Sequence, residues 1–364
     1  MIVNRYFWHF NMERVVVKVN SKTQINKIPL NTYKNRLVSL IIMIVGIGLL
    51  FISVVASINF GAADLNYRDV YNALFQFDED NPAHTIIRQL RFPRAVAAIC
   101  VGAALAVSGA IMQGMTRNPL ASPSIMGVTA GSSFLIAIAL VAIPGVTYLG
   151  LMMFSFVGAG LGAALVFGIT SFSRGGITPV KLALAGSAIT SLLSSLSTAV
   201  GIKFNISKDI SYWFAGGVSS VQPQHVLFTL PFILAGLLLA LALSRSISIL
   251  SLGEEVAKGL GQNTSIVKLI GTIVVLLLTG AAVSIAGMIG FIGLVIPHIT
   301  RFLVGNDYRL IIPCSAILGG VLLIVADIVG RMVNAPFETP VGAITAIIGV
   351  PFFLYLARKE GRGL

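Results

Sequence analysis

An all-α, polytopic membrane protein of about ten transmembrane helices is the fold class this sequence predicts, and three observations predict it. Of 364 residues, 56% are hydrophobic and only 10% charged. Soluble domains carry about 25% charged residues, so a soluble globular enzyme is excluded. Mean hydropathy is +0.93, and at about 20 apolar residues per spanning helix the apolar runs supply about ten spans, leaving no water-soluble domain larger than a loop. The basic residues also segregate. With the N-terminus in the cytoplasm, ten spans put 18 of the 25 Lys and Arg residues in cytoplasmic segments and the other 7 outside, as the positive-inside rule requires. The net charge of +12 therefore belongs to loops facing anionic headgroups, not to a nucleic-acid partner.

Residues 1–36 form a basic tail with Arg14, Lys18, Lys22, Lys27, Lys34 and Arg36, expected to be cytoplasmic, and 37–364 form the transmembrane domain. Met12 is an alternative start to Met1. The first apolar run, 37–60, exceeds the roughly 7–15 residues of a signal-peptide core and reads as an uncleaved span. The other spans are expected at about 91–115, 125–143, 147–172, 179–202, 225–245, 265–286, 289–304, 310–331 and 340–357. Ten spans return both termini to the cytoplasm. The eighth is short enough to be a partial or broken helix. Small residues, such as Gly102, Ala103, Ala106 and Gly109 in the second span and Gly158 and Gly162 in the fourth, let helix backbones approach closely. The segments Gly102-Ala-Ala-Leu-Ala-Val-Ser-Gly109 and Gly280-Ala-Ala-Val-Ser-Ile-Ala-Gly287 agree at four of eight positions. They lie five spans apart, which points to an inverted repeat of spans 2–5 and 7–10.

Catalytic signatures are missing: there is no phosphate-binding loop, no HExxH and no GxSxG. His9, His84, His225 and His298 fit no metal-ligand spacing, and Cys100 and Cys314 form no CxxC pair. No cofactor or metal is implied, and any ATP must be bound by another chain. Asp327 is the deepest charge in an apolar run. It fits either a carboxylate satisfied by a neighbouring helix or by Arg331, or a proton relay; a proton-driven carrier would carry more than one such group.

Between the sixth and seventh spans lies Ser251-Leu-Gly-Glu-Glu-Val-Ala-Lys-Gly-Leu-Gly261. Ser251 with Glu254 reads as a capping box, and Gly261 as a helix stop. Leu252, Val256 and Leu260 share one face of a short helix over about 252–261, with Glu254, Glu255 and Lys258 mostly elsewhere. Such a helix can rest on membrane lipid or dock in a partner's groove.

Three stretches in order resemble the FecCD-type permeases, membrane subunits of ATP-binding cassette importers for iron-siderophores, haem and cobalamin. They are Arg91-Phe-Pro-Arg94 with Gly102 to Gln113 and Asn118-Pro-Leu-Ala-Ser-Pro123; Gly290-Phe-Ile-Gly-Leu-Val-Ile-Pro-His-Ile-Thr-Arg301; and Ala326-Asp-Ile-Val-Gly-Arg331 with Pro340-Val-Gly342. The resemblance implies a ten-span subunit that pairs with a second copy or a related permease chain. It implies that 252–261 is the coupling helix on an ABC ATPase subunit. Arg91, Arg94 and Arg331 match positions that meet glutamates of an extracellular substrate-binding protein, and an arginine fork suits a carboxylate. Asn118, Pro119 and Leu120 match the inner gate at the end of a pathway-lining second span; Pro119 equally fits an ordinary helix-ending turn. Ferric siderophores are the commonest cargo of such a family, with haem and cobalamin as alternatives. An ion-coupled secondary carrier is the alternative of a different class. The basic tail and the loop 61–85, with Asp78, Glu79 and Asp80, depart from the pattern.

Overall fold

A computed structural model describes residues 31–60, 67–123, 127–172, 179–335 and 337–360. The tail to residue 30, with the choice between Met1 and Met12, lies outside the described residues, and so do 61–66 of the departing loop. Helix α1 is Asn31–Asn59, so residues 31–36 belong to the first helix and not to the tail. There follow α2 (Tyr67–Phe75), α3 (Pro82–Ile86), α4 (Phe92–Thr116), α5 (Val128–Ala142), α6 (Tyr148–Ser171), α7 (Pro179–Lys203) and α8 (Ser207–Phe214). The chain continues with α9 (Pro223–Ser251), α10 (Glu254–Gly259), α11 (Thr264–Ala286), α12 (Ile292–Val304), α13 (Tyr308–Met332) and α14 (Val341–Glu360). Among the described residues, seven helices are long and apolar enough to cross a membrane, and α5, α12 and most of α14 are shorter apolar helices. Together they match the ten expected spans. Helices α2, α3, α8 and α10 are short connectors.

One π turn, Ile87–Arg91, joins α3 to α4, making a nearly continuous rod over Pro82–Thr116. Pro93 has no N–H for an i−4 carbonyl, and the wider turn just before it accommodates that loss. The second span is therefore longer at its start than the hydropathy indicates.

The two halves share an order of lengths. Helices α4 to α7 have 25, 15, 24 and 25 residues; α11 to α14 have 23, 13, 25 and 20. In each half the short second helix starts from a left-handed residue, Gly127 at φ 70° and Phe291 at φ 68°. This supports the inverted repeat. Phe291 is an uncommon residue for that conformation; its side chain fills the space that Gly349 of α14 leaves open.

Helix α4 is the core of the bundle, with 83% of its central window buried, against 22% for α7. Close packing follows from glycine facing glycine. A β-carbon on Gly102 would overlap the Gly319 carbonyl of α13, one on Gly109 the Gly293 carbonyl of α12, and one on Gly158 the Gly131 carbonyl of α5. In lipid, where no hydrophobic force joins helices, such backbone contact supplies the van der Waals attraction. Replacing Gly109 with Leu is expected to cost about 3 kcal/mol or more, because backbone, not a movable side chain, blocks the space. Leu at Gly48, which has nothing within 4 Å of its β-carbon position, is expected to be neutral. Thermal unfolding in mild detergent distinguishes the two.

Candidate functional site

The loops and helix ends at the C-terminal side of α4, around α10 and at the start of α13 form one end of the bundle, here the coupling end. The N-terminal side of α4 and the C-terminal ends of α1 and α13 form the far end.

At the far end the three expected arginines are buried, with Arg91 7%, Arg94 9% and Arg331 9% exposed. Arg94 grips Asp327: Nε is 3.1 Å from both carboxylate oxygens and Nη2 is 2.9 Å from Oδ1. Its Nη1 donates to Glu338 at 2.7 Å. Arg331, one turn after Asp327 on α13, reaches Oδ2 at 3.0 Å, and also donates to the Ser57 and Phe60 carbonyls and to Ser57 Oγ. Arg91 donates to the Ile58 and Asn59 carbonyls. The last carbonyls of α1 have no intrahelical donors and carry the negative end of the helix dipole. Two arginines therefore cap α1, and two hold Asp327. In the chain alone, the donors of Arg91, Arg94 and Arg331, the three arginines at the expected docking positions, are largely taken up by Asp327, Glu338 and the end of α1. Of the two readings of Asp327, the structure supports a carboxylate satisfied by a neighbouring helix and by Arg331.

Beside this cluster, a cavity of about 450 Å³ is lined by Arg94, Glu338, Tyr148, Trp213, Ser220 and Val341, among others. The Tyr148 ring packs on Trp213 and on His225, and its hydroxyl donates to the Ile285 carbonyl at 3.2 Å. Glu338 is half-exposed at the rim.

At the coupling end, α9 runs through Ser251, whose hydroxyl donates to the Ser248 carbonyl. The expected capping box is absent because Ser251 closes the preceding helix. Gly253, at φ 132°, stands at the N-cap of α10 instead; only glycine adopts that conformation without strain. The segment expected to be the coupling helix is helical over six residues, Glu254–Gly259, and not over the whole of 252–261. Gly261, at φ 79°, provides the expected stop. Leu252 is 65% exposed, Val256 49% and Leu260 65%, an apolar face left uncovered among the described residues. Glu255 and Lys258 are also exposed.

Glu254 is half-exposed beside α11. It is paired with Lys268 of α11, accepts from Thr264 Oγ1 at 3.3 Å, and lies 3.1 Å from Lys258. The Lys268 ammonium, and after it Lys258, hold the Glu254 carboxyl down to about 2. A lowered folded-state value means that the clamp contributes fully above the ordinary glutamate value of about 4.3 and is lost as pH falls through about 2. Glu254→Gln is therefore expected to loosen α10. Its thermal midpoint should lie below wild type by a constant amount from pH 5 to 8, with the gap shrinking below about pH 4.

Beyond α4, Arg117 adopts φ 52° and ends the helix. Asn118 Oδ1 accepts from Leu120 N at 2.9 Å, and its carbonyl accepts from Ala121 N at 3.1 Å, which makes Pro119 the first central residue of a tight turn, where its fixed φ fits. Asn118 is exposed, and Pro119 and Leu120 are half-buried. Most of α4 before this turn is buried in the single chain. Helix α7, the least hydropathic of the seven long spans, exposes Ser187, Ser191, Ser194, Ser195 and Thr198 along one side and is a second candidate for a wall. Its serine spacing is visible in the sequence, but its exposure is not.

The profile of the FecCD transport family matches residues 49–359. The iron(3+)-hydroxamate import system permease protein FhuB of Bacillus subtilis (strain 168) is 60% identical over 326 residues, covering 90% of this chain and 85% of that one. The iron-uptake system permease protein FeuB of the same organism is 48% identical, covering 85% and 93%. A solved structure described as an inward-facing conformation of a metal-chelate type ABC transporter superposes with a TM-score of 0.76 at 31% identity, covering 87% of this chain and 99% of that one.

Proposed function

This chain belongs to the FecCD transport family, and from that premise we propose that it is the permease subunit of an ATP-binding cassette importer whose cargo is a ferric siderophore of the hydroxamate class. The observation that carries the cargo is the 60% identity to a hydroxamate permease along nearly the whole of both chains. The observation that carries the class of machine is the uncovered apolar face of α10, held at a fixed angle by Glu254 and Lys268. An ATPase subunit docks there. The excess of Lys and Arg at the coupling end supports a cytoplasmic position for it, and with it for both termini, in a multi-pass plasma-membrane protein.

A substrate-binding protein meets the far end. With Arg91 and Arg331 committed to α1, the part of the arginine cluster open to a docking partner is the rim where Arg94 and Glu338 border the cavity. The hydroxyl side of α7 faces a pathway shared with a second copy or a related permease chain, since a row of hydroxyls is poorly matched to lipid. Asn118, Pro119 and Leu120 form the turn that opens and closes the cytoplasmic exit. The chain's own part in transport is mechanical: ATP chemistry belongs to the docked subunit. The ion-coupled alternative needs a titratable relay, and the Asp327 carboxylate, clamped by two guanidiniums, offers little support for one.

The test is purification of the tagged chain in mild detergent, with its stoichiometric companions identified by mass spectrometry. An ATPase subunit and, after mild cross-linking, a binding protein are expected; a second permease would make the pair heteromeric. ATP-dependent uptake of a ferric trihydroxamate by the reconstituted complex, in preference to haem or cobalamin, tests the cargo. An intact chain repeatedly free of any ATPase would overturn the importer reading.

A further inference from the structure

One network of buried and half-buried polar groups away from the arginine cluster lies at the crossing of α4, α12, α13 and α9 near the coupling end. Pro297 lies inside α12 and has no N–H, so the Gly293 carbonyl four residues earlier loses its normal helical donor. Gln113 of α4, 2% exposed, supplies one from another helix: Nε2 lies 3.3 Å from the Gly293 carbonyl and 3.3 Å from that of Leu294. Its Oε1 accepts from Arg301 Nη2 at 2.9 Å, one turn beyond the proline. Donor and acceptor needs together fix the orientation of the amide.

Arg301 extends the chain of contacts. The same Nη2 lies 3.4 Å from Tyr308 Oη. The Tyr308 ring and Ile247 of α9 fill the space that Gly114, the next residue of α4, leaves by having no side chain. The Tyr308 backbone N–H donates to Ser248 Oγ at 2.8 Å, and that hydroxyl donates to Asp307 at 3.3 Å. Ser248 lies in the last turn of α9, and only Leu252 and Gly253 separate α9 from α10. From Ser248 in the last turn of α9 to Gln113 and Gly114 of α4, every step is a hydrogen bond or a packed ring, and the backbone carries the contact on to α10 at one end and to Asn118 at the other.

We infer that Gln113 and Arg301 are the positioning residues that carry movement of the coupling helix to the exit turn at Asn118–Leu120. The inference rests on the proposed importer function. A carbonyl freed by proline is a joint whose donor sits on a different helix: when α9 and α13 shift, Arg301 moves, and with it the amide that ties α4 to α12. The two ends of the network have few alternatives, because Gln113 is buried and its removal leaves the Gly293 carbonyl without a donor. Coupling of this kind requires an element with two arrangements that both ends bias, and the Gln113 amide supplies one that a rotation about its own side chain can break.

The test uses the full permease–ATPase complex in proteoliposomes, with a ferric trihydroxamate bound to its binding protein as cargo. ATP hydrolysis and uptake are measured together for Gln113→Leu, Arg301→Met, Arg301→Lys and Tyr308→Phe. Gln113→Leu and Arg301→Met are expected to keep the ATPase bound and hydrolysing, while cargo moved per ATP falls about tenfold. Arg301→Lys, which keeps a cationic donor, should recover part of the loss. The double variant Gln113→Leu/Arg301→Met should be no worse than either single one. Uptake per ATP unchanged in an assembled Gln113→Leu complex would overturn the inference. Should Gln113→Leu fail to assemble, Tyr308→Phe, which removes one hydroxyl and no packing, decides: a lowered ratio supports the link and an unchanged ratio overturns it. Absence of ATP-dependent uptake in the wild-type complex would instead overturn the proposed function.

Discussion

Replacing Asp327 with Asn is expected to remove most of the folded protein, at a cost of about 3–5 kcal/mol, because two guanidiniums buried beside it lose their shared counter-charge. Asp327 is fully buried, and the side chains of Arg94 and Arg331 are about 10% and 7% exposed. An amide accepts one hydrogen bond well but brings no charge, and its NH₂ would face donors. Arg94 keeps Glu338 and Arg331 keeps the α1 carbonyls, so the loss is less than that of two isolated charges in hydrocarbon. The check is the yield of monodisperse protein and its unfolding midpoint in detergent. A proton relay at this position gives the opposite pattern, with stability kept and uptake losing its pH dependence. Normal stability in Asp327→Asn would therefore overturn the reading of Asp327 as the shared counter-charge of Arg94 and Arg331.

Changing Leu252, Val256 and Leu260 together to Ser is expected to leave insertion and stability unchanged and to abolish uptake. All three are exposed in the chain, so their removal opens no cavity. On a partner, each apolar side chain contributes about 1.5–3 kcal/mol when fully buried. Partial burial of three is enough to weaken ATPase binding by about a hundredfold or more. Loss of the ATPase from the purified complex, with the permease itself intact, is the expected observation. If the ATPase stays bound at full stoichiometry, the apolar face of α10 rests on lipid. Reversing both Glu254 and Glu255 to Lys mixes two effects, because Glu254 also clamps α10 to α11 through Lys268, whereas Glu255 is exposed.

Much of the fold is legible without coordinates because each span is a local property. Length and apolarity locate ten helices, and their ends err by a few residues where a terminus depends on a contact. The rod at Pro82–Thr116 begins before its apolar run because a π turn accommodates Pro93. The Ser251 capping box fails because three consecutive signals, serine, leucine and glycine, serve the end of one helix and the start of the next. The eighth span reads correctly as short.

By itself the sequence determined the membrane class, the number of spans, the position of the short helix between the sixth and seventh spans and the family, since composition, periodicity and ordered motifs are properties of the chain read along its length. Tertiary structure alone decided what the charged residues do. Arg94 and Asp327 are 233 positions apart, Gln113 and Arg301 are 188 apart, and no periodicity along a helix tells what stands opposite its face. A guanidinium at a helix end has the same sequence signature whether it grips a partner's carboxylate or caps its own neighbour, and the burial that separates the two arises only when the helices pack.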